Sequence, residues 1–226
     1  MSPRAPFIVI EGLDRSGKST QCTTLINRLE AAGIPAKLLK FPDRTTTIGQ
    51  MIDAYLKSQS ELDDHLIHLL FSANRWELAS TIERLLREGT VVVCDRYAFS
   101  GIAFSASKGL PFEWCRAPDV SLPAPDLTLF LDISPEAAMA RGGYGEERYE
   151  KREMQESVRR IFVRLAEEMN GEGMGDSRSA WITVDASQTM DDVSEAMWAH
   201  VQPMIGGTHR PIGRLWAGSF SSDATE

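Results

Sequence analysis

The segment with the clearest chemical potential is glycine-rich and lies between an apolar run and a helical pattern. Residues 12–19 read GLDRSGKS and match the pattern G-x-x-x-x-G-K-[ST] in full. In such a loop, backbone N–H groups converge on phosphate oxygens, and the N-terminus of the next helix adds partial positive charge. Lys18 is suited to the β- and γ-phosphates, and the Ser19 hydroxyl to Mg²⁺. The segment predicts a nucleoside triphosphate site, and a turn that merely links strand to helix is the weaker alternative.

Three arginines stand where ligands collect if the chain forms a parallel α/β sheet. Arg44 and Arg96 follow apolar runs, and Arg15 lies within the glycine-rich loop. Ligands in such folds bind at the carboxyl ends of the strands. Each arginine alone is better explained as a solvated surface charge, but a cluster of them costs repulsion unless anions fill the site. The arrangement predicts a second phosphate-bearing ligand, the acceptor, and places Asp95 beside the loop as a further Mg²⁺ ligand.

Phe71 and Arg75 are four residues apart in a helical pattern, so they share one face of the helix. A flat ring beside a planar guanidinium suits an aromatic base, which would stack on the ring and accept hydrogen bonds from the arginine. The alternative for Phe71 alone is a place in the core. Residues 141–150 read RGGYGEERYE and could form a flap that excludes water during phosphoryl transfer. A charged loop that caps a helix explains that segment equally well.

Apolar runs and helical patterns alternate along the chain, which predicts a five-stranded parallel sheet with helices on both faces. The runs predicted as strands are 7–10, 36–41, 91–94, 127–133 and 181–184. The predicted helices are 18–32, 48–57, 63–86 and 153–169. Three segments fall outside the alternation and are predicted as a structured loop with a short helix, a surface insertion and a disordered tail: 101–125, 171–179 and 217–226.

The overall composition limits the classes of function. The chain has 226 residues, enough for one domain with a single core, and its net charge of −8 disfavours nucleic acid as a partner. It holds no apolar run long enough to span a membrane and does not begin like a signal peptide. Three widely spaced cysteines suggest reduced thiols, so we expect a cytoplasmic protein, with the nucleus as a second location. The guanine-reading motif Asn-Lys-x-Asp of small GTPases does not occur in the sequence.

Taken together, these motifs resemble the thymidylate kinase family, of the eukaryotic type. The resemblance covers residues 7 to about 216, and its specific part is the set of Phe-Pro-x-Arg, Phe-Ser-Ala-Asn-Arg and Asp-Arg-Tyr-x-x-Ser-Gly at these separations. The matching stretches are 11–20, 41–44, 69–76, 95–101, 118–120, 122–123, 125–126, 145–150 and 184–187. The lid stretch departs from the expected pattern, because 142–144 is more glycine-rich and 150–153 more charged than is usual.

The resemblance implies a nucleotide kinase that transfers the γ-phosphoryl group of ATP to dTMP, giving dTDP and ADP for dTTP biosynthesis. It also implies Mg²⁺, a homodimer, and a P-loop fold like that of nucleoside monophosphate kinases, in one domain over residues 1–216 with a lid at about 141–155. The tail at 217–226 has no assigned counterpart in the family. An apolar stripe at Leu66, Leu69 and Leu70 could face the partner copy or the core.

The roles that the resemblance implies fall into four groups. The catalytic residues would be Arg15, Lys18 and Arg96. ATP would be bound by Arg15, Ser16, Gly17, Lys18, Ser19, Thr20, Arg141, Ser187 and Gln188. The metal would be held by Ser19 and Asp95. The dTMP site would comprise Asp14, Phe41, Arg44, Phe71, Arg75, Arg96, Ser100, Gly101, Phe104, Tyr149 and Gln155.

Two other functions compete with this one. A kinase acting on nucleosides or on another nucleotide such as UMP would share the phosphate loop, but a nucleoside kinase has less need for both Arg44 and Arg96. A slow nucleotide-dependent switch would need a water-orienting residue and a partner surface instead of the Phe71 and Arg75 pair. ADP release that depends on dTMP separates the kinase from the switch.

Overall fold

A five-stranded parallel sheet forms the centre of the computed structural model, which describes residues 3–141, 148–170 and 180–217. The strands lie in the order β2-β3-β1-β4-β5, and every neighbouring pair is parallel. Their bounds are β1 Phe7–Gly12, β2 Ala36–Lys40, β3 Val91–Asp95, β4 Leu127–Asp132 and β5 Ala180–Asp185. All five predicted strands are confirmed. β1 and β3 are buried along their whole length, as continuous apolar strands in a covered parallel sheet should be.

Eight α-helices are described and cover both faces of the sheet. They are α1 Lys18–Ala31, α2 Thr47–Leu56, α3 Asp64–Arg87, α4 Ala98–Ala106, α5 Phe112–Arg116, α6 Pro135–Met139, α7 Arg152–Asn170 and α8 Met190–Val201. Short 3-10 turns follow α5 and α8, at Ala117–Asp119 and Gln202–Met204.

Two apolar layers sandwich the sheet because side chains alternate along each strand. Phe7 and Val9 of β1 point into the layer that includes α3, α4 and α7, whereas Ile8 and Ile10 point into the layer formed with α1 and α8. The predicted arrangement of helices on both faces is thereby confirmed. No helix in the described part of the chain combines the length and the apolar character that crossing a bilayer requires.

The structure corrects three details of the predicted elements. The segment 101–125 holds more helix than the predicted structured loop with one short helix, since α4 already begins at Ala98 and α5 and a 3-10 turn follow. Helix α8 was not predicted, although Thr189 caps it by accepting from the Asp192 amide. Along α3, Leu66 and Leu69 are 44% and 45% exposed, so these two members of the predicted stripe do not face the core. Ile67 and Ile82 of that helix are buried instead.

A third, smaller apolar cluster joins α2 and α3 to the residues just before α7. Ile52, Tyr55 and Leu56 of α2 pack with Ile67 and Tyr149. The predicted lid residues 142–147, the insertion 171–179 and the tail from 218 onward lie outside the described residues. The cluster fixes the position of Tyr149, shortly before α7.

Candidate active site

A cleft of about 440 Å³ opens at the carboxyl ends of β1, β2 and β3. It brings together most of the predicted site, namely Asp14, Arg15, Gly17, Lys18, Ser19, Thr20, Phe41, Arg44, Phe71, Arg75, Asp95, Arg96, Ser100, Gly101, Phe104 and Tyr149. We call the part around Arg15, Lys18, Arg44 and Arg96 the phosphate end. The part around Phe71, Arg75, Gly101, Phe104 and Ser105 is the base end. The predicted residues that do not line the cleft are Ser16, Arg141, Gln155, Ser187 and Gln188.

The phosphate loop between β1 and α1 needs its glycines for two different reasons. A Cβ at Gly12 would lie 2.7 Å from the Leu131 carbonyl oxygen, so a side chain has no room there. Gly17 adopts φ 96° immediately before α1, a conformation that strains other residues. Arg15 itself has φ 63°. The loop therefore turns sharply enough to direct backbone N–H groups and the α1 N-terminus into the cleft.

Lys18 is buried beneath the loop and close to other cations. Its Nζ donates to the Leu13 carbonyl oxygen and lies 3.3 Å from the Ser16 hydroxyl. Burial, followed by the positive charge of Arg96, lowers the pKa of Lys18 to about 8. A phosphate bound in the cleft would add negative charge and stabilise the ammonium form. Ser16 is buried, contacts Lys18 and does not line the cleft.

Two oxygen ligands suitable for a hard cation meet at one side of the phosphate end. The Ser19 hydroxyl donates to Asp95 Oδ2 at 2.5 Å, and Asp95 is almost fully buried at the end of β3. Lys40 Nζ lies 3.7 Å from the same carboxylate oxygen. Mg²⁺ in phosphoryl-transfer sites is held by one or two protein oxygens together with phosphate oxygens and water. The donor set of Ser19 and Asp95 fits that ion.

Each arginine of the phosphate end contacts a carboxylate. Arg44 Nη1 lies 2.7 Å from Asp53 Oδ1 on α2, and Arg15 Nε lies 3.1 Å from Glu150 Oε1. Arg96 contacts Asp14 through Nη2, and its Nη1 donates to the Gly12 carbonyl oxygen at 3.0 Å and to the Ser100 hydroxyl at 3.1 Å. These side chains stay partly open to solvent, so a phosphate can reach them.

Asp14 is held from behind by a glutamine of α7. Gln155 Nε2 donates to Asp14 Oδ2 at 2.8 Å, and its Oε1 accepts from the Asp14 amide at 3.1 Å. Gln155 also donates to the Tyr149 carbonyl oxygen at 3.0 Å and is 1% exposed. The structure places it beneath the site, where it orients Asp14 and Tyr149 and does not line the cleft.

At the base end, the guanidinium of Arg75 is buried and paired with Asp119, a residue that the sequence did not single out. Nε lies 3.1 Å from Asp119 Oδ1, and Nη2 lies 2.6 Å from Oδ2. Phe71, one turn earlier on α3, is partly buried and reaches the same cleft. Arg96 and Phe104 approach each other across the cleft, with the guanidinium carbon 5.2 Å from the ring centroid.

Arg141 lies outside the cleft and links the phosphate loop to the segment after β5. Its Nη1 donates to the Arg15 carbonyl oxygen at 3.3 Å, and its Nη2 contacts the Ala186 carbonyl oxygen. Ser187 and Gln188 follow directly, and both are exposed and hydrogen-bonded to Asp185. The three predicted residues are therefore neighbours at the outer rim of the phosphate loop.

The chain that leads from the predicted lid into α7 is fastened to α2. The Arg148 guanidinium lies 4.2 Å from the centroid of the Tyr55 ring, and its Nε donates to the Tyr55 carbonyl oxygen at 3.0 Å. Arg148 also pairs with Glu61, which lowers the pKa of that carboxyl through the hydrogen bond between them. Tyr149 then packs against Phe104 with ring centroids 5.5 Å apart.

A buried glutamate, which was assigned no role from the sequence, holds the start of α4 beside the cleft. Glu11, in β1, accepts hydrogen bonds from the Tyr97 amide at 2.9 Å and from the Ser100 amide at 3.0 Å. The Ser100 hydroxyl donates to its other oxygen at 2.5 Å. Burial raises the pKa of Glu11, although these hydrogen bonds act in the opposite direction and lower it. An acidic residue inside an otherwise apolar strand was the available signal, because such a residue needs donors when it is buried.

The family model for thymidylate kinase matches residues 10–197. The chain belongs to the thymidylate kinase family. It is accordingly an ATP-dependent phosphotransferase that converts dTMP to dTDP, and the expected family and function are confirmed.

Similar proteins extend the match over most of the chain. A thymidylate kinase of Schizosaccharomyces pombe is 56% identical over 84% of this chain and 88% of its own. One of Homo sapiens is 45% identical over 94% of this chain and 98% of its own. A solved structure of thymidylate kinase from Candida albicans superposes with a TM-score of 0.82 at 36% identity and covers 95% of this chain and 99% of that chain. The fold is thus that of a P-loop nucleoside monophosphate kinase, as expected.

Proposed function

We propose that ATP and dTMP lie end to end in the cleft, with their phosphates meeting at the phosphate end. The observation that supports this most strongly is the continuity of the cleft, since Lys18 of the phosphate loop and Phe71 of the base end line one cavity. A single cavity with a triphosphate site at one end and a base site at the other can align a donor and an acceptor for direct transfer.

On the donor side, Lys18 and the N–H groups of the loop would bind the β- and γ-phosphates. Ser19 and Asp95 would hold Mg²⁺, which neutralises phosphate charge when bound. Arg15 would lie against the transferred phosphoryl group from within the same loop, after leaving Glu150, 3.1 Å away in this structure. Arg141, Ser187 and Gln188 would border the adenine at the rim of the loop.

On the acceptor side, Arg44 and Arg96 would hold the phosphate of dTMP so that one oxygen lies in line with the γ-phosphorus. That oxygen is already ionised at neutral pH, so no residue has to remove a proton from it. Catalysis then rests on position and on charge stabilisation, as expected for phosphoryl transfer. Asp95 therefore serves the metal and not as a general base.

The rest of the acceptor would occupy the base end. Phe71 would stack on thymine, and Arg75 would donate hydrogen bonds to its edge. Ser100, Gly101, Phe104 and Tyr149 would surround the sugar, which leaves little space for a 2′-hydroxyl. Asp14, oriented by Gln155, would accept from the 3′-hydroxyl, and Phe41 would close the wall beside them.

The enzyme would act as a homodimer in a reducing compartment. Leu66, Leu69 and Trp76 leave an apolar face of α3 at least 41% exposed, and covering such a face favours association. Sedimentation of the wild type and of Leu69→Arg tests this: we expect a wild-type dimer and a monomeric variant, because the introduced charge disfavours association.

Cys22, Cys94 and Cys115 are all buried free thiols, in keeping with the cytoplasm or the nucleus.

A screen of nucleoside monophosphates tests the proposed reaction. ADP release would be followed with ATP and Mg²⁺ alone and with dTMP, dUMP, UMP, dCMP or thymidine added. We expect release to depend on the acceptor, with dTMP giving the highest kcat/KM and thymidine giving none. Release that is the same with and without every acceptor would overturn the proposal in favour of a nucleotide switch.

A further inference from the structure

The Arg75 guanidinium is fixed before any ligand arrives. Asp119 is fully buried and Arg75 is 2% exposed, and the two side chains meet side-on through two hydrogen bonds. The Ser72 hydroxyl donates to Asp119 Oδ1 at 2.8 Å, and Trp76 Nε1 donates to the Pro118 carbonyl oxygen at 2.8 Å. Three residues of α3 thus hold the 3-10 turn Ala117–Asp119 in place.

The side-on pairing leaves a defined set of donors for the cleft. A guanidinium has five N–H groups, of which Asp119 takes one on Nε and one on Nη2. In the described part of the chain Arg75 makes no other hydrogen bond, and it lines the cleft. Its free edge therefore carries N–H groups and no acceptor.

Gly101 of α4 supports the same orientation from the other side. A Cβ at Gly101 would lie 2.6 Å from Arg75 Nη2 and 3.0 Å from its guanidinium carbon. The guanidinium thus lies directly over the glycine backbone, where no other residue leaves room for it. Asp119 on one edge and Gly101 on one face determine where the remaining donors point.

We propose that Asp119 is a positioning residue for base selection. By holding Arg75 side-on, it fixes the position from which the remaining N–H donors face the base, so a pyrimidine with a carbonyl group at that point is selected over one with an amino group. This inference rests on the proposed placement of the base beside Phe71 and Arg75. A purely structural role for Asp119, as a buried ion pair that stabilises the fold, is the alternative.

Asp119→Asn tests the proposal because it removes the charge of the carboxylate with little change in volume. We would measure kcat and KM for dTMP and for dCMP, whose base carries an amino group in place of the carbonyl. The ratio of the two kcat/KM values does not depend on the folded fraction of a preparation. We expect the ratio to fall about 10- to 100-fold and the KM for dTMP to rise, with kcat at saturation within about threefold.

Arg75→Ala and the double variant establish how Asp119 acts. If Asp119 works through Arg75, the double variant keeps the same ratio as Arg75→Ala alone. Ser72→Ala serves as the control, because it loosens the same turn and leaves the carboxylate charged, and we expect an unchanged ratio. Gly101→Ala is the second probe: its Cβ would displace the guanidinium with Asp119 intact, so the ratio should fall there as well.

The outcomes separate this inference from the proposed function. If Arg75→Ala leaves the ratio unchanged, the base does not lie beside Arg75 and the proposed function loses its base site. If Arg75→Ala lowers the ratio but Asp119→Asn does not, Asp119 is structural only. If Gly101→Ala leaves the ratio unchanged, the orientation of Arg75 does not select the base, and the proposal fails. Should Asp119→Asn fail to fold, Asp119→Glu replaces it, because it keeps the charge and moves the carboxylate by one methylene; an unchanged ratio there would overturn the proposal.

Discussion

At the base end of the cleft, the side chains of Arg75 and Asp119 are 3% and 0% exposed, whereas at the phosphate end Arg44 and Arg15 are 35% and 32% exposed. Both ends pair arginines with carboxylates. Only at the phosphate end can water, and therefore a phosphate, compete for the guanidinium.

This difference suggests two uses for one kind of ion pair. A buried pair costs several kcal/mol to break, so Arg75 keeps its partner when the ligand binds and recognises the base in a fixed orientation. A partly exposed pair contributes only up to about 1 kcal/mol, so a phosphate dianion can replace Asp53 or Glu150 at low cost. The base end is therefore rigid and selects the base of the acceptor. The phosphate end exchanges its carboxylate partners for phosphates and is where phosphoryl transfer takes place.

The largest effect is expected at Arg15. Arg15→Ala should lower kcat by about 10³-fold or more, because the arginine neutralises charge that develops only during transfer. The dissociation constant of dTMP should change less than about threefold. Arg15→Asn is the companion variant, since asparagine tolerates the φ of 63° at this position better than alanine does.

Arg84→Ala, which removes an exposed arginine of α3, is the control and should keep wild-type turnover. If both Arg15 variants retained kcat within a few-fold, or if they lost dTMP affinity as much as turnover, the assignment of Arg15 to the transition state would be wrong.

The rigidity of the base end also predicts a pH dependence of stability. His68 is fully buried between Ser105 and the Cys115 carbonyl oxygen, each 2.8 Å away. Burial, followed by the charge of Arg75, lowers the pKa of His68 to about 4, with Lys108 lowering it further and Asp119 raising it. Since the folded state prefers neutral histidine, its stabilising contribution is present above about pH 6.5 and is lost as the pH falls toward 4, by about 3 kcal/mol.

Urea unfolding of the wild type and of His68→Gln between pH 7 and pH 4 measures this contribution. The free energy of unfolding of His68→Gln should fall less between pH 7 and pH 4 than that of the wild type. His65→Gln, an exposed histidine of the same helix, should keep the wild-type slope. Equal slopes for all three proteins would contradict the prediction.

Loss of the ring at Phe71 is expected to have a smaller effect, on acceptor affinity. Phe71→Ala should weaken dTMP binding by about 1–3 kcal/mol, because stacking on the base is removed. Isothermal titration measures the change, and Phe71→Tyr should retain most of the affinity. Unchanged dTMP affinity in Phe71→Ala would remove this residue from the base site.

The smallest predicted effect has the opposite sign and is the sharpest test of the difference between the two ends. Asp53→Asn should tighten dTMP binding about two- to fivefold, since it removes the negative charge that competes with phosphate for Arg44. Asp119→Asn at the base end should weaken binding. Lys57→Ala leaves the contact between Arg44 and Asp53 in place and should not tighten dTMP binding. Weaker dTMP binding in Asp53→Asn would show that the phosphate end, too, depends on its carboxylates for orientation.

The sheet and the residues that line the site could be predicted from the sequence better than the contacts that those residues make with one another. The five strands and the phosphate loop follow from local patterns, and strand ends in a parallel sheet must converge, so Arg44, Asp95 and Arg96 could be placed together. The pairing of Arg75 with Asp119 could not, because it joins residues 44 apart and depends on how α3 packs on the turn after α5. Gln155 was expected at the acceptor but lies behind Asp14, since the rotation of α7 is set by tertiary packing.

A crystal structure with dTMP and a non-hydrolysable ATP analogue tests the central claim most directly, namely that the base end stays fixed while the phosphate end exchanges partners. We expect thymine against Phe71, with the two hydrogen bonds between Arg75 and Asp119 retained. We also expect phosphate oxygens on Arg44 and Arg15 in place of Asp53 and Glu150. Thymine bound elsewhere, or an Arg75 that leaves Asp119 to reach the base, would contradict the claim.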